Sequence, residues 1–484
     1  MDLSRNELIE KGVSAPAMPR AELVRRLREI VGDASVLEGE QVTSRYPGYF
    51  MDKIESQLLV RPGTTEQVSL VLQLCNSIGQ SVVTQGGMSG WVRATQTTAD
   101  DLILSMEKMN QIEEIDTVNR TVTAQAGVIL HTLQDRLEDH DLIFPLDLGG
   151  RGSCQIGGNA STNAGGIRVI RYGMMRQLVL GVEAVLADGT VISSMNKMLK
   201  NNSGYDIKQL FLGSEGTLGV ITRLVLRLYE KPLSDNAAMV ALNNFDSVAN
   251  FLRYMDRNLG GNLSAFEVID EDFYKINTSP GRHGAPIDGD YPYYVITESL
   301  GFDPDKDSEH FEQVLFRALE EGIIADAVVA KSEADREALW QIREDLEHVV
   351  RDIQPFQAFD VSMPIGDMES YMCEVRRRFN AEWPEGNICF LGHVGDGNLH
   401  IAAGSGSRDP SAIRAVERCV YEPLESIGGS VSAEHGIGLE KKDFLSLSRN
   451  ADEIALMQVL KRTLDPNGVL NPGKVLDSPS CAIS

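Results

Sequence analysis

The chain has 484 residues, of which 42% are hydrophobic and 24% are charged, and its formal net charge is −25. A chain of this length is too long for one hydrophobic core, so the sequence predicts a globular protein with two or more domains. Because the net charge is strongly negative, neither nucleic acid nor an anionic membrane surface is an expected partner.

The cysteines and the N-terminus exclude further classes of protein. Six cysteines are scattered without a CxxC pair, which argues against an iron–sulfur cluster, a thiolate zinc site and a disulfide scaffold. The N-terminal stretch "MDLSRNELIEKGVSAPAMPR" lacks the apolar segment of a secretion signal, and no later run is long and apolar enough to span a membrane. We therefore expect a cytoplasmic protein, with a trimmed organellar form as the alternative.

The first predicted supersecondary unit is "QLLVRPGTTEQVSLVLQLCNSIGQSVVTQGG" at residues 57–87. Leu58–Val60 predicts a short apolar strand, which Pro-Gly ends. Thr64 opens a capping box with the glutamine three residues later, and the helix that follows runs to about Ile78. A second strand begins at Ser81–Thr84. The pattern therefore predicts a β–α–β unit that leads into a glycine-rich loop.

More strands and a helix complete the first predicted domain. "LILSMEKM" and "RTVTAQAG" predict strands, and "VILHTLQDRLEDHD" predicts a helix. Residues 149–166 are rich in glycine and lack apolar periodicity, so we expect a long loop there without a regular element. The Asp-Gly pair in "LVLGVEAVLADGTVISS" predicts a hairpin, and a glycine loop at 213–219 leads into a β-branched strand. A mixed α/β domain therefore ends near residue 232.

The pattern changes between about residues 236 and 430. Longer helical segments such as "SEHFEQVLFRALEEG" and "SEADREALWQIREDLEHVVRDI" alternate with strands such as "YYVITES". This pattern of longer helices and strands predicts a second domain, of the α+β class, with an antiparallel sheet. The last fifty residues mix helices with the closing segment "LDPNGVLNPGKVL".

Glycine-rich loops are the first candidates for ligand binding. Glycine lets backbone N–H groups approach an anion closely, and the loop "VTQGGMSGWV" at 83–92 follows a β–α–β unit, which is a suitable context for a phosphate. It matches neither GxGxxG nor GxxxxGK[ST]. Together with the runs at 149–166 and 213–219, it predicts a large buried cofactor. The alternative is that these glycines only form tight turns.

Two histidines lie seven residues apart in "FLGHVGDGNLHIAAG". A turn at Gly395–Asn398 folds the chain back, so His393 and His400 are expected to be neighbours on adjacent strands. Two imidazoles in such positions can bind a divalent metal ion, and Glu434 in "SVSAEHGIGLEKK" is a candidate third ligand. The alternative is that each histidine is a hydrogen-bonded packing residue.

Five motifs, in chain order, resemble those of the FAD-dependent D-2-hydroxyacid dehydrogenases: "PLDLGGRGSCQIGGNASTNAGG", "NNSGYDIKQLFLGSEGTLGVIT", "GHVGDGNLH", "SAEHGIGL" and "LDPNGVLNPGK". That group includes D-2-hydroxyglutarate dehydrogenase, D-lactate dehydrogenase and the glycolate oxidase flavin subunit, and it has the vanillyl-alcohol-oxidase (PCMH) flavoprotein fold. The resemblance extends from about residue 40 to about residue 475.

The resemblance implies an α+β fold in three parts. Residues 1–235 would form a two-part, PCMH-type FAD-binding domain, and residues 236–430 an antiparallel-sheet substrate (cap) domain with a metal site. Residues 431–484 would complete the active site and return to the FAD-binding domain.

The resemblance also implies which residues hold FAD. The loop at 83–92 would hold the pyrophosphate, residues 145–166 and 213–222 would surround the rest of the dinucleotide, and the C-terminal motif would lie near the flavin ring. Some relatives attach FAD covalently through a histidine after the two glycines of the first loop. Met88 stands there and, with Ser89, departs from the usual motif, so FAD should be bound non-covalently. The full implied set is Gln85, Gly86, Gly87, Met88, Ser89, Gly90, Pro145, Leu148, Gly149, Gly152, Ser153, Ile156, Gly157, Gly158, Asn159, Thr162, Asn163, Gly165, Gly166, Glu215, Gly219, Ile221, Asn471 and Lys474.

The active site is implied by the same resemblance. Its metal ligands correspond to His393, His400 and Glu434, its catalytic base to His435 and its carboxylate-binding arginine to Arg343. In the implied reaction, which converts a D-2-hydroxy acid to a 2-oxo acid, a divalent cation binds the substrate hydroxyl and carboxylate. The histidine takes the hydroxyl proton and flavin N5 receives the C2 hydrogen. Zinc is the expected ion, with manganese and iron as alternatives.

Three positions differ from the 2-hydroxyglutarate branch of that group. Ala358 stands where the branch has a lysine, Glu347 where it has a threonine, and Ala402 where it has an asparagine. An unpaired buried charge is costly, so a second substrate carboxylate would be disfavoured in this pocket. We therefore expect a D-2-hydroxy acid with an uncharged tail, such as D-lactate or a longer or aromatic relative.

Several alternatives stay open at the level of sequence. The chain could be a D-2-hydroxyglutarate dehydrogenase proper, a flavin-free metal hydrolase that uses the same ligands, or a nucleotide-binding protein without turnover. The electron acceptor could be an electron-transfer flavoprotein, a quinone, a cytochrome or dioxygen. A homodimer is compatible with the sequence, although nothing in the sequence argues for one.

Overall fold

The computed structural model of the protein describes residues 18–49, 51 and 53–477. Most of the N-terminal stretch considered for a leader, together with Cys481, lies outside the described residues. Within the described part, every cysteine is a free thiol, and no helix is long and apolar enough to cross a bilayer.

Helices and strands occur along the whole described chain. In chain order the strands are β1 (Val36–Glu38), β2 (Leu58–Val60), β3 (Val82–Gln85), β4 (Leu102–Ser105), β5 (Ile112–Asp116), β6 (Thr121–Gln125), β7 (Leu142–Ile143), β8 (Val179–Val185), β9 (Val191–Ser194), β10 (Val220–Arg227), β11 (Tyr229–Glu230), β12 (Ser234–Leu242), β13 (Leu263–Asp270), β14 (Tyr293–Gly301), β15 (Asp326–Val329), β16 (Gln357–Ser362), β17 (Asn387–Gly392) and β18 (Asn398–Gly404). The α-helices span Arg20–Val31, Glu40–Thr43, Thr65–Ile78, Leu130–Glu138, Ile156–Thr162, Val169–Tyr172, Met175–Leu178, Phe245–Asn258, Glu271–Thr278, Pro304–Glu320, Glu333–Glu344, Glu347–Asp352, Met368–Glu382, Pro410–Tyr421, Leu424–Ile427 and Ala451–Leu464.

The predicted β–α–β unit lies in a four-stranded sheet of order β1-β2-β4-β3. Its two strands, β2 and β3, each pair in parallel with β4, which lies between them. The Thr64 side chain accepts a hydrogen bond from the N–H of Gln67, whereas the Gln67 side chain accepts from Gly63, so only half of the capping box forms. Gly79 ends the helix in a left-handed conformation. The unit is therefore confirmed.

A five-stranded antiparallel sheet of order β5-β6-β10-β8-β9 packs against the first sheet through a shared apolar core. The predicted Asp-Gly hairpin joins β8 and β9, and Gly189 adopts the positive φ of 87° that this turn requires. The C-terminal segment returns to this half of the molecule, because Leu470 forms a parallel bridge with Val82 in β3. A small two-stranded sheet pairs β7 with β11.

The second half is built on a seven-stranded antiparallel sheet of order β15-β12-β14-β13-β17-β18-β16. Successive side chains of a strand face opposite sides, so Phe266 and Val268 face one apolar core, and Ala265 and Ile269 face another. Helices cover both sides. Those with buried residues in the first core are Phe245–Asn258, Pro304–Glu320, Met368–Glu382, Pro410–Tyr421 and Leu424–Ile427, and those in the second are Glu271–Thr278, Glu333–Glu344 and Glu347–Asp352.

The prediction of an unstructured loop at residues 149–166 is wrong in its middle, where Ile156–Thr162 forms a helix. Two glycines lower its intrinsic helix propensity, but tertiary packing requires one of them. A Cβ at Gly157 would lie 2.5 Å from the Cβ of Ala126, so only glycine lets the helix approach the end of β6 this closely. Asn163 ends the helix in a left-handed conformation.

Candidate functional site

A cavity lies between the glycine loops of the first half. Eight of the residues predicted for the cofactor line it: Gly86, Gly157, Gly158, Thr162, Glu215, Gly219, Ile221 and Asn471. The sequence analysis did not single out its other lining residues, which are Thr84, Ala94, Thr95, Met106, Ala126, Gln155, Ser161, Gly216 and Val220. Gln155 and Ser161 lie inside a quoted glycine-rich motif, so the motif indicated this region without distinguishing its polar side chains.

The donor and acceptor groups of this cavity fit a dinucleotide. Thr84 Oγ1 and Gln155 Oε1 are buried and make no hydrogen bond within the described part of the chain. Buried polar atoms are normally paired, so these two atoms are available to a polar ligand. Met106 and Val220 add apolar surface to the lining. A ligand with polar groups and flat apolar rings, as FAD has, suits this lining.

The other residues predicted for FAD do not line this cavity, and their contact with FAD stays a prediction. These are Gln85, Gly87, Met88, Ser89, Gly90, Pro145, Leu148, Gly149, Gly152, Ser153, Ile156, Asn159, Asn163, Gly165, Gly166 and Lys474. Two of their glycines determine how the loops pack. A Cβ at Gly87 would lie 1.9 Å from the carbonyl oxygen of Ser153, and one at Gly166 would lie 1.9 Å from that of Asp147.

Glu215 connects the glycine loops to the C-terminal motif. Its carboxylate accepts hydrogen bonds from the backbone N–H groups of Ile437 (2.7 Å) and Gly438 (2.8 Å), and its carbonyl accepts one from the side chain of Asn471. Burial raises the pKa of Glu215 to about 7, although the two N–H groups oppose this shift. The turn that carries Glu434 and His435 is thereby held against the cofactor cavity.

The three predicted metal ligands lie together. His393, His400 and Glu434 each offer one ligand atom, and these atoms lie within 4.8 Å of one another. The two imidazole centroids are 5.0 Å apart with perpendicular rings, and His393 Nε2 is 3.9 Å from Glu434 Oε1. Gly165 leaves room for that carboxylate, because a Cβ there would lie 2.8 Å from Glu434 Oε1. Two nitrogens and an oxygen at these separations fit a divalent transition-metal ion.

The predicted strand pairing of the two histidines is wrong in detail. The chain does fold back at residues 394–397, but His393 lies outside both strands, between β17 and the 3₁₀ turn Val394–Asp396, and His400 pairs with Leu391. The rings become neighbours because the positive-φ residue Gly397 closes the turn and aims both side chains toward Glu434. The spacing of the glycines in the sequence indicated the turn. The register between β17 and β18 depends on contacts across the whole sheet.

Glu267, which the sequence analysis missed, joins two predicted site residues. Its side chain is 0% exposed, accepts a hydrogen bond from Arg343 Nε at 2.9 Å, and makes a very short contact with His393 Nδ1. Burial raises the pKa of this carboxyl, but His393 and Arg343 lower it further, to about 2. The one sequence feature that could have indicated it is an acid in the middle of the mostly apolar strand "LSAFEVID".

His435 lies beside the three ligands. Its ring centroid is 5.2 Å from that of Trp91 and 6.4 Å from that of His400, and 28% of its side chain is exposed. Its backbone N–H donates to Asp360 Oδ2 at 3.0 Å, and its Nδ1 is 3.7 Å from the same oxygen. Asp360 therefore positions the turn that carries His435.

Asp360 and Lys441 form a buried pair that the sequence analysis also missed. Lys441 Nζ donates to the carboxylate of Asp360 at 3.3 Å and to its backbone carbonyl at 3.0 Å. Burial raises the pKa of Asp360, but Lys441 and His435 outweigh it, so the pKa lies well below its usual range. The carboxylate is thus ionised and available to hold the turn.

The predicted substrate residues do not all lie together. Ala358 and Ala402 are cross-strand partners two positions from the Asp360–His400 pair, on the same face of the sheet. Arg343 lies near the end of its helix and reaches this face through Glu267. Glu347 begins the next helix and is exposed to solvent. Its contact with a substrate stays a prediction.

Two protein-family models match this chain. A family model described as "FAD linked oxidases, C-terminal domain" matches residues 231–475, and one described as "FAD binding domain" matches residues 56–194. The chain belongs to the FAD-linked oxidase family. The predicted class, an oxidoreductase that uses FAD, is confirmed, and the flavin-free hydrolase is set aside.

Curated relatives cover most of the chain. The mitochondrial D-2-hydroxyglutarate dehydrogenase of Bos taurus is 40% identical over 422 residues, which are 87% of this chain and 77% of that protein. A putative mitochondrial D-lactate dehydrogenase of Schizosaccharomyces pombe is 37% identical, over 87% of this chain and 82% of that protein. A D-2-hydroxyglutarate–pyruvate transhydrogenase of Saccharomyces cerevisiae is 36% identical, over 87% of both.

Solved structures confirm the predicted fold. A p-cresol methylhydroxylase with bound substrate superposes with a TM-score of 0.74 at 16% identity, over 94% of this FAD-linked oxidase and 97% of that chain. An alkyldihydroxyacetonephosphate synthase gives a TM-score of 0.71 at 18% identity, over 94% and 85% of the two chains. The α+β, PCMH-type architecture is therefore shown.

Proposed function

We propose that this FAD-linked oxidase converts a D-2-hydroxy acid to the 2-oxo acid with the help of one divalent metal ion. The observation that carries the proposal is the cluster of His393, His400 and Glu434, with His435 beside it and Arg343 tied to it through Glu267. The names of the curated relatives, which include D-2-hydroxyglutarate and D-lactate dehydrogenases, support the same reaction class.

Each side chain has a role that its chemistry suits. Arg343 is held by Glu267 through Nε, which leaves the terminal nitrogens of its guanidinium to bind the substrate carboxylate. His435 takes the proton of the substrate hydroxyl, since imidazole is an effective base near neutral pH. The metal ion, for which zinc fits the two nitrogens and one oxygen, supplies Lewis-acid polarisation of the substrate oxygens when bound.

FAD supplies the redox chemistry when bound, by accepting the two electrons and the C2 hydrogen. The cavity between the glycine loops would hold it, with Thr84 and Gln155 as unpaired polar partners. Because Met88 replaces the histidine that attaches FAD in some relatives, we propose non-covalent binding. We retain the division into an FAD-binding part (1–235), a substrate part (236–430) and a C-terminal part (431–484) as a proposal.

The substrate is proposed to carry an uncharged tail. Ala358 and Ala402 face the same side of the sheet as His400, so the lining there offers neither a cation nor an amide to a second carboxylate. Glu347 is solvent-exposed and contributes less to this argument than its sequence position indicated. D-2-Hydroxyglutarate is the second candidate, because most of the relatives above 35% identity bear that name.

The electron acceptor and the cellular location complete the proposal. We propose an electron-transfer flavoprotein, a quinone or a cytochrome as acceptor. The expected cytoplasmic location stays a prediction, and several of the curated relatives are named as mitochondrial proteins.

A comparison of kcat/KM across substrates tests the proposal. The panel is D-lactate, D-2-hydroxybutyrate, D-malate, D-phenyllactate and D-2-hydroxyglutarate, and acids with uncharged tails should give the highest values. Ala358→Lys should raise the ratio of kcat/KM for D-2-hydroxyglutarate over D-lactate by about tenfold or more, because it restores a cation. Leu456→Lys, at an exposed helix position, is the matched control. A wild-type preference for D-2-hydroxyglutarate would show that the substrate assignment is wrong.

A further inference from the structure

A second group of metal-binding side chains lies outside the site described above. His283, Asp345 and His348 each offer one ligand atom, and the three atoms lie within 4.8 Å of one another. We propose that this group binds a second divalent transition-metal ion, with zinc as the ion to test. The proposal does not depend on the proposed oxidation.

The distances between these atoms suit one ion. His283 Nε2 lies 2.9 Å from Asp345 Oδ2, and His348 Nε2 lies 3.7 Å from the same oxygen. Two ligands bound to a tetrahedral zinc ion at about 2.1 Å stand about 3.4 Å apart. The observed separations fall on either side of that value, so small side-chain movements bring all three atoms to bonding distance.

His348 has no hydrogen bond that accounts for its position. Its Nδ1 is buried without a partner in the described part of the chain, and its Nε2 is beyond hydrogen-bond distance from Asp345. Because Nε2 is not hydrogen-bonded to Asp345, its lone pair can bind an ion that lies between the two imidazoles. The ring of His348 lies edge-on to that of His283, with centroids 6.0 Å apart.

The local charges also favour a cation. Asp345 Oδ1 accepts a hydrogen bond from the backbone N–H of Glu347, whereas Oδ2 lies next to the two imidazoles. Arg282 is the adjacent cation, and it is paired with Asp352. It therefore adds little repulsion to an ion bound at His283.

The donor set selects the class of ion. Two imidazole nitrogens and one carboxylate oxygen suit zinc and its neighbours in the transition series, whereas magnesium and calcium prefer all-oxygen sites. The three side chains are 19–29% exposed, so water completes the coordination. The site is thus a shallow one, open to exchange with solvent.

The position of the group indicates what the ion does. His283 lies in the loop between helix Glu271–Thr278 and β14, and Asp345 ends the helix that carries Arg343. The Asn277 side chain of helix Glu271–Thr278 donates a hydrogen bond to the Ile342 carbonyl, and the loop itself contacts the Arg343 helix through His283 and Asp345. A metal ion would add His348 to this contact, which lies two residues from Arg343, and would act on substrate binding rather than on FAD.

Zinc titration of the flavin-loaded protein tests the inference. The protein is freed of metal with a chelator, titrated with zinc chloride by calorimetry, and analysed for zinc bound per chain. His348→Gln and His283→Gln should each lose one bound zinc and retain the flavin spectrum. His310→Gln is the matched control, because that histidine only bonds the Asn258 carbonyl and lies in neither group.

The two sites are separated by comparing variants. His393→Gln should lose the zinc of the proposed catalytic site and keep the one at His348, and the double variant should lose both. If the wild type binds a single zinc that His348→Gln and His283→Gln each remove but His393→Gln does not, this inference stands and the catalytic metal fails. Zinc binding by His348→Gln and His283→Gln equal to that of His310→Gln would overturn the inference.

Discussion

Glu267 holds Arg343 and His393 in one buried group, through a 2.9 Å hydrogen bond to the first and a very short contact with the second. The proposed carboxylate-binding residue and a proposed metal ligand are thus positioned by the same carboxylate. This carboxylate is fully buried and ionised, so it needs both Arg343 and His393 as partners. The positions of these two side chains are therefore coupled.

Glu267→Gln should lower kcat/KM by about 10–100-fold, the usual effect of removing a group that orients a metal ligand. The amide keeps the size of the side chain but cannot balance the charge of Arg343. Flavin content should not change. Glu183→Gln is the control, since Glu183 is also buried and bonded to Thr65 and Arg223, but lies in the other sheet. Equal kcat/KM for both variants would contradict the role of Glu267.

His435→Ala should lower kcat by about 10²–10⁴-fold, the range expected for loss of a general base. FAD and metal contents should match the wild type, because the predicted ligands of both lie on other residues. Stopped-flow measurement of flavin reduction reports the step directly. A near-wild-type rate of reduction in His435→Ala would remove this residue from the mechanism.

Removal of metal should abolish turnover while the flavin stays bound, because the ligand cluster and the cofactor cavity are formed by different residues. The measurement is turnover after chelator treatment, with the flavin absorbance followed in the same sample. Re-addition of zinc should restore activity in the wild type but not in His393→Gln. Active enzyme without stoichiometric metal, measured by elemental analysis, would rule out the metal site.

Glu298 should make stability depend on pH. Burial raises its pKa from 4.5 to about 7, although Arg168 lowers it. The folded protein therefore holds this proton more tightly than the unfolded chain, and the stabilisation is complete below pH 4.5 and lost as the pH rises through 7.

The glutamine in Glu298→Gln has no acidic proton, so this variant should lack the pH dependence of stability that Glu298 causes. The free energy of unfolding of the wild type relative to Glu298→Gln should fall as the pH rises through that window, by at most about 1.4 kcal/mol per pH unit. Urea unfolding at a series of pH values measures it. Parallel curves for the two proteins would show that Glu298 titrates normally.

Local patterns predicted much of the fold. The β–α–β unit of residues 58–85 and the hairpin at Gly189 depend on residues close together in sequence, and both were predicted correctly. The helix Ile156–Thr162 was missed because the close packing of Gly157 on Ala126 joins segments thirty residues apart. Tertiary contact, rather than helix propensity, determines that element.

In the candidate site, too, local motifs were predicted from sequence, whereas contacts between distant residues were not. The three proposed metal ligands, which lie together in the structure, could be proposed from sequence because each lies in a short motif of glycines, histidines and acids. Glu267 and Asp360 were missed because their partners are distant in sequence: Glu267 contacts residues 343 and 393, and Asp360 contacts residues 435 and 441. Such side chains become identifiable only when the sheet brings their strands together.

Anaerobic reduction of the bound flavin by D-2-hydroxy acids tests the central proposal most directly. The account predicts that D-lactate or a longer D-2-hydroxy acid bleaches the oxidised-flavin absorbance without any added acceptor, and that the L-enantiomer does not. Dithionite serves as the control that the flavin is reducible. If dithionite bleaches the flavin and no D-2-hydroxy acid of the panel does, the proposed activity is contradicted.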